Sequence, residues 1–543
     1  MYRTLKQVNW PEIEAEVLNH WESDKTFQKS IDTRSMEKRF VFYEGPPSAN
    51  GMPGIHHVMS RAIKDIFCRY KTLQGFRVER KGGWDTHGLP IELQVEKRLG
   101  ITKEDIGKKI SVLDYNAECR KDVMEFKDKW DELTVKMGYW VDLDTPYVTY
   151  ETSYIETLWY LLKQIHQKGY LYKGHTIQPY SPAAGTGLSS HELNQPGTYK
   201  NVKDTTAVAQ FRLTSDSLAL ALKLFNLDAS NLDVLCFLAW TTTPWTLPSN
   251  TALAVGKNIN YVCMQTVNAY SHKTINIVLA EPLIGKHFNP AGKDLAIEDY
   301  KAGDKILPYK ILGTVKGSEL AGLTYEQLLP FEANTRDLIE GDAFKVLIGD
   351  FVTTEDGTGI VHIAPSFGAD DYRVAKQNGV GSLTLVDKRG KFLSGVNDGL
   401  FLYGEEYVKE DYLNESEKAI ELEIQKDKLQ GFIKDTSKLS YLNVDERIVL
   451  KLQNEDKLFK KEKYEHTYPH CWRTDKPILY YPLESWFIKT TAVKDKLVEL
   501  NKTINWKPQS TGEGRFGNWL ENLVDWNLSR SRYWGTPLPI WRT

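Results

Sequence analysis

The sequence predicts an α/β fold whose parallel sheet is interrupted by a long β-rich insertion. Three observations carry this expectation. An apolar strand, a glycine-rich turn, a helix and a second strand follow one another between residues 39 and 90, the strand–helix–strand order of a parallel sheet. From about residue 200 to residue 430, strand-like segments such as TTAVAQFRL, NIVLA and GTGIVHIAP set the texture. From Tyr480 onward, YYPLESWFIKTTAVKDKLVEL restores strand and then helix.

Length and composition fit that organisation. A chain of 543 residues is too long for one core and suggests roughly three or four domains. It is 41% apolar and 26% charged with a net charge of −3, so any basic surface for a nucleic acid must be local. Cys68, Cys119, Cys236, Cys263 and Cys471 lack paired spacing, which argues for a reducing compartment without a disulfide framework. The N-terminus lacks the apolar core of a signal peptide, and no apolar run is long enough for a membrane helix. The expectation is a cytoplasmic monomer with no membrane partner.

Each element has a local reason. Pro11 suits a first helical turn, with Ile13, Val17 and Trp21 repeating behind it. RFVFYEG, residues 39–45, is a short strand stopped by Gly45-Pro46-Pro47. Met59, Ile63, Ile66, Phe67 and Tyr70 trace one helical face, and Gly75 suits its end. RVERKGGWDTHGLP returns as strand and loop, and Pro90 opens a helix with Ile91, Val95 and Leu99 directed inward. The loops 45–57 and 82–90 then fall beyond the strands' carboxyl ends, where parallel sheets bind ligands.

GPPSANGMPGIHH, residues 45–57, holds the most informative chemistry. Small residues let a backbone approach a bulky ligand, helix-start N–H groups attract phosphate, and His56 and His57 can donate to phosphoryl oxygens as charge develops. The spacing is not that of a P-loop. Asp85 is either a cap of its turn or a carboxylate for an ammonium group. The threonine run 241–243 can be mere strand propensity, and Asp370-Asp371 a helix start.

Five stretches taken together resemble the class I aminoacyl-tRNA synthetases, and within them the isoleucine-activating branch. They are GPPSANGMPGIHH, GGWDTHGLPIE (82–92), AWTTTPWTLPSN (239–250) with GTGIVHIAPSFGADDY (357–372), and WLENLVDWNLSRSRYWGTPLPIW (519–541). The resemblance runs from near Asn9 to the end of the chain. It implies a Rossmann-type catalytic domain split by a β-barrel-like editing insertion. The corresponding segments are a helical stretch at 1–38, the first half of the catalytic domain at 39–199, the editing domain at 200–430, a return connection at 431–479, and the start of the second catalytic half at 480–543. It further implies ATP-dependent, Mg2+-assisted activation of L-isoleucine, transfer to tRNA(Ile), and hydrolysis of misattached valine. The alternatives are a valine-specific relative and an inactive or tRNA-binding editing fragment. One missing methylene is worth only about 1–3 kcal/mol of discrimination, a magnitude set by this family rather than by this sequence, so a second, hydrolytic site is needed.

The resemblance also implies roles. His56 and His57 would be catalytic and, with Gly54, bind ATP. Gly45, Pro46, Asp85 and Trp519 would hold the amino acid, Asp85 by its ammonium. Thr241, Thr242, Thr243 and Asn250 would line the hydrolytic pocket, His362 would limit which side chains enter, and Asp371 would anchor the ammonium. The family orders its signature His, any residue, Gly, His. Here Gly54, Ile55, His56 and His57 exchange the first histidine with the glycine, which implies an altered nucleotide pocket. The family's zinc knuckles lack cysteines here, with Ser181, Ala184 and Thr474 at or near their places. Cys471 with His466, His470 and His191 makes a poor substitute, so no structural zinc is expected. TSKLS at 436–440 imitates the family's K-M-S-K-S motif but precedes SRSRYWG, and the true motif is expected beyond Thr543, in a longer chain.

Overall fold

The computed structural model describes residues 8–228, 232–293, 295–331, 335–398, 401–433 and 435–541, apart from the side chains of Ser190 and His191. The chain forms two units, one of residues 1–173 with 486–543 and one of residues 174–485.

In the first unit, α1 (Trp10–Asp24) begins at Pro11, β1 spans Arg39–Tyr43, α2 Ile55–Leu73, β2 Arg77–Trp84, α3 Leu89–Leu99 and β3 Asp142–Val148. The three strands are parallel in the order β1-β2-β3, with Arg39 opposite Arg77 and Lys81 opposite Asp142. Gly83 is required by a close approach: a Cβ there would lie 2.2 Å from the Tyr147 ring. That ring sits where its hydroxyl can donate to the Glu44 carbonyl at 2.7 Å.

Helix α2 turns the pattern in its sequence around. Its periodic residues Met59, Ile63, Ile66, Phe67 and Tyr70 are exposed, while Arg61, Cys68 and Thr72 are buried. The buried side is held by polar and cation–π contacts. Arg61 donates to the Thr134 hydroxyl at 2.7 Å and lies over the Trp130 ring, and Arg69 lies 4.1 Å from the Trp140 ring. Ile91 and Val95 of α3 are buried as the periodicity implies, whereas Leu99 at the helix end is exposed. They pack with Tyr115, Cys119 and Trp534, the last from the far end of the chain.

In the second unit, β4 (Tyr199–Arg212), β5 (Cys236–Thr241), β6 (Ala252–Val255), β7 (Asn260–Val267), β8 (Thr274–Ala280), β9 (Tyr309–Lys316), β10 (Lys345–Ile348), β11 (Ile360–Ile363) and β12 (Leu458–Pro469) form one sheet among the described residues. Its order is β9-β7-β8-β5-β11-β6-β10, with β4 joining β5 to β12. The segment 431–479 therefore carries a helix, α6 (Val444–Asn454), and a strand paired antiparallel to β4 from Leu458–Ala209 to Pro469–Tyr199. TTAVAQFRL packs on both faces. Ala207, Ala209 and Phe211 enter the main core, and Val208 enters a second one with Leu238, Val262 and Met264. Helix α4 spans Ala369–Gln377, after β11, and α5 spans Glu415–Lys428.

Candidate active sites

The first site lies where β1 and β2 end. Beyond Tyr43 the chain crosses to the next loop: the Asp85 N–H donates to the Pro47 carbonyl at 3.0 Å, and Ser48 Oγ donates to the Asp85 carbonyl at 2.8 Å. Trp130 Nε1 donates to the Gly51 carbonyl at 2.8 Å, and Ala49 is buried against Trp84 and Trp130. Residues 45–51 and Asp85 are thus fastened together. A cavity of about 390 Å³ opens here, lined in part by Gly45, Pro47, Ser48, His57, Arg61 and Lys64.

Gly54 caps α2, and its N–H donates to His57 Nδ1 at 2.9 Å. That bond leaves the proton of a neutral His57 on Nε2. Burial, with His56 and Arg61 nearby, lowers the His57 pKa and keeps the ring neutral. His56 is exposed, its ring 3.8 Å from that of His57, and a Cβ on Gly54 would come within 2.8 Å of His56 Cε1. A side chain at Gly54 would therefore require the His56 ring to move. The Glu44 carboxylate is taken up by Lys64 and by the Tyr139 hydroxyl.

Asp85 is exposed at the strand end, yet surrounding atoms desolvate it enough to raise its pKa, while an N–H of His87 opposes the shift. Trp519 stands apart. It lies on the helix Phe516–Glu521, is 58% exposed and has Phe516 as its ring neighbour. Among the described residues no ring, hydrogen-bond or ion-pair contact joins it to Pro46 or Asp85. The residues that do connect the C-terminal block to this loop were not singled out by the sequence. Glu92, 2% exposed, accepts the N–H groups of Tyr533 and Trp534 at 2.7 and 2.9 Å, and Trp534 Nε1 donates to the Thr86 carbonyl.

The second site is a cavity of about 420 Å³ inside residues 174–485. Thr241, Thr242, Thr243, His362 and Asp371 line it, with Thr246, Trp240 and Phe367. Strand β5 ends at Thr241, whose Oγ1 accepts the Thr243 N–H at 3.0 Å. A 3-10 turn, Pro244–Ser249, follows. The proton on His362 can be placed. Thr246 Oγ1 donates to the Thr243 carbonyl at 2.8 Å, so it accepts from His362 Nε2 at 2.8 Å. His362 Nδ1 then accepts from Asn250 Nδ2 at 3.1 Å. Asn250 Oδ1 accepts the Tyr325 hydroxyl at 2.6 Å. Burial lowers the His362 pKa to about 4. Asn250, 2% exposed, lies behind His362 rather than on the cavity wall where the sequence had it.

The aspartate pair divides. Asp370 is exposed and paired with Arg373 at 3.1 Å. Asp371 Oδ2 turns back to accept the Ala364 N–H at 2.8 Å. Burial raises the Asp371 pKa to about 7, opposed by that N–H and assisted by Asp370.

Cys471 is buried, His470 Nδ1 lies 2.9 Å from the Tyr468 carbonyl and His466 faces Asp204 at 3.2 Å. The side chain of His191 lies outside the described residues. Among the described residues, no three histidine, cysteine or acidic side chains are placed to hold a metal ion, and no helix is long and apolar enough to cross a membrane.

Comparison with known proteins joins these sites to a family. The isoleucine--tRNA ligase of Cytophaga hutchinsonii is 62% identical over 99% of this chain and 46% of its own length. That of Bacteroides fragilis is 57% identical, also over 99% and 46%, and the isoleucine--tRNA ligase 2 of Bacillus anthracis is 42% identical over 97% and 43%. The chain spans about half the length of these relatives. Residues 16–543 match the family described as tRNA synthetases class I (I, L, M and V), and the chain belongs to that family.

Proposed function

We propose that the chain forms the amino-acid-activating and proofreading part of an isoleucine--tRNA ligase. The observation that carries this is the coexistence of two separate cavities, each built from one set of family motifs, in a chain 62% identical to such a ligase. In the first, isoleucine's carboxylate would attack the α-phosphate of ATP, forming isoleucyl-AMP and releasing pyrophosphate. Asp85 would hold the ammonium, whose arrival offsets the desolvation that raises its pKa. His57 Nε2–H, fixed by the bond at its other nitrogen, would donate to a phosphate oxygen where negative charge develops. The donors at this cavity are imidazole, hydroxyl, guanidinium and ammonium, and its carboxylate Glu44 is already paired. That set suits a triphosphate and offers Mg2+ no unpaired carboxylate, so the ion would arrive on the phosphates, where it would offset their charge. Transfer to the terminal adenosine of tRNA(Ile) would follow.

The second cavity lies within residues 174–485, which we take to contain the inserted editing domain. Asp371 would anchor the ammonium of a misattached valine. Thr241, Thr242 and Thr243 would border the ester, and His362, kept neutral and rigid from behind, would limit the side chain admitted. Water then hydrolyses the ester.

The test uses the complete protein. Pyrophosphate exchange should be faster with isoleucine than with valine, and valyl-tRNA(Ile) should be deacylated while isoleucyl-tRNA(Ile) persists. Exchange that favours valine would reassign the substrate, and absence of adenylate formation would end the synthetase reading.

A further inference from the structure

Behind the second cavity runs a buried line of charge. Lys409, 7% exposed, lies 3.2 Å from Asp204 and 3.8 Å from Asp445, with its ammonium over the Tyr468 ring. His466 closes the far side of Asp204 at 3.2 Å. Asp445, 4% exposed, is the second residue of α6. Its helix does not need it as a cap: Asn443 and Glu446 satisfy each other's backbone N–H groups at 3.0 and 3.2 Å. Instead, Asp445 Oδ1 accepts the N–H of Trp245 at 2.7 Å, two hundred residues away in the chain.

Trp245 is the second residue of the turn Pro244–Ser249, and the next residue is Thr246, which holds His362. The Trp245 ring meets Phe367 edge-on at 5.0 Å, and Phe367 lines the cavity. A buried carboxylate is tolerated where an opposite charge and a hydrogen-bond donor both face it. Here Lys409 supplies the charge and the turn supplies the donor. Glu446, the next acidic group on α6, is engaged by Lys463 at 2.7 Å. We propose that Asp445, charge-matched by Lys409, is the positioning residue that fixes the Thr241–Asn250 segment against His362 for hydrolysis. The hydrolytic part of this rests on the editing function proposed above; the positioning part rests on geometry alone.

The experiment compares Asp445→Ala and Asp445→Asn in the complete protein. Asparagine keeps an oxygen for the Trp245 N–H and removes only the charge. Alanine should raise hydrogen exchange in residues 243–250 by about ten-fold or more while leaving β7 unchanged. It should lower kcat for deacylation of valyl-tRNA(Ile) by about ten-fold with KM changed less than about two-fold. Asparagine should bring both back to within about three-fold of the parent. Unchanged exchange in 243–250, a rise that extends equally through β7, or failure of asparagine to rescue would each overturn the proposal. If the exchange pattern holds but the parent protein never deacylates valyl-tRNA(Ile), positioning stands and the hydrolytic reading falls.

Discussion

Asp370 and Asp371 stand side by side in the first turn of α4 and meet different surroundings. Asp370 reaches solvent and Arg373, whereas Asp371 is desolvated to a pKa of about 7. In its proposed role as ammonium anchor Asp371 must be ionised, so kcat/KM for deacylation should climb about ten-fold per pH unit below 7 and bend there. Asp371→Asn should lose the bend together with most of the activity, as a pH profile of the complete protein would check. The stability effect has a defined sign. A carboxyl raised above its unfolded value contributes stability that is fully present below about pH 4 and is lost as pH rises through about 7. At this scale the sequence is partly legible. Thr241, Thr243, His362 and Asp371 belong to stretches whose residue types and order are recognisable, and they share one cavity. Thr246, Tyr325 and Asp445 are not legible, because what matters about them is a partner 116, 75 and 200 residues away. Asn250 was legible as a residue but not in its orientation behind the ring.

Helix α2 shows where periodicity succeeds and where it misleads. Spacing predicts the helix and its apolar stripe, and Ile55–Leu73 is helical. Spacing does not say which side faces inward, and here arginine–aromatic contacts hold the polar side down. The helix start is equally specific. A Cβ on Gly54 would come within 2.8 Å of the exposed His56 ring, which must shift to admit it. Gly54→His alone should displace His56 and weaken the Gly54–His57 cap, lowering stability by about 1 kcal/mol. Adding His56→Gly should recover most of that loss. Thermal melts of the single and double variants measure it, and equal melts would show that the two positions are independent. The β-rich unit was legible from its strand segments, but the long β4–β12 pairing was not, since nothing local in 458–469 names its partner.

At the scale of the whole chain, the first unit is discontinuous in sequence. The Lys489 N–H donates to the Tyr170 carbonyl at 2.7 Å, and the rings of Tyr172 and Phe487 stack with centroids 5.5 Å apart. The chain therefore leaves and re-enters this unit at neighbouring points. Replacing residues 174–485 by a short Gly/Ser linker should leave the first unit folded with its cavity intact, because closing a short loop is entropically cheap. Near-ultraviolet circular dichroism and an ATP-dependent shift in Tm would report it, and loss of cooperative melting would contradict it. Change of texture made the interruption legible, while the adjacency of its ends was not.

That adjacency has a consequence for synthesis on the ribosome. Trp534 completes a cluster with Ile91 and Val95, and Glu92 waits for the N–H groups of residues 533 and 534. Ile91 and Val95 therefore cannot complete their cluster until more than four hundred further residues, up to Trp534, have been translated, at about 5–20 residues per second. Residues 174–485 carry their own core and are free to fold during that interval. For tens of seconds the cluster around Ile91 and Val95 stays open on the side that Trp534 later covers.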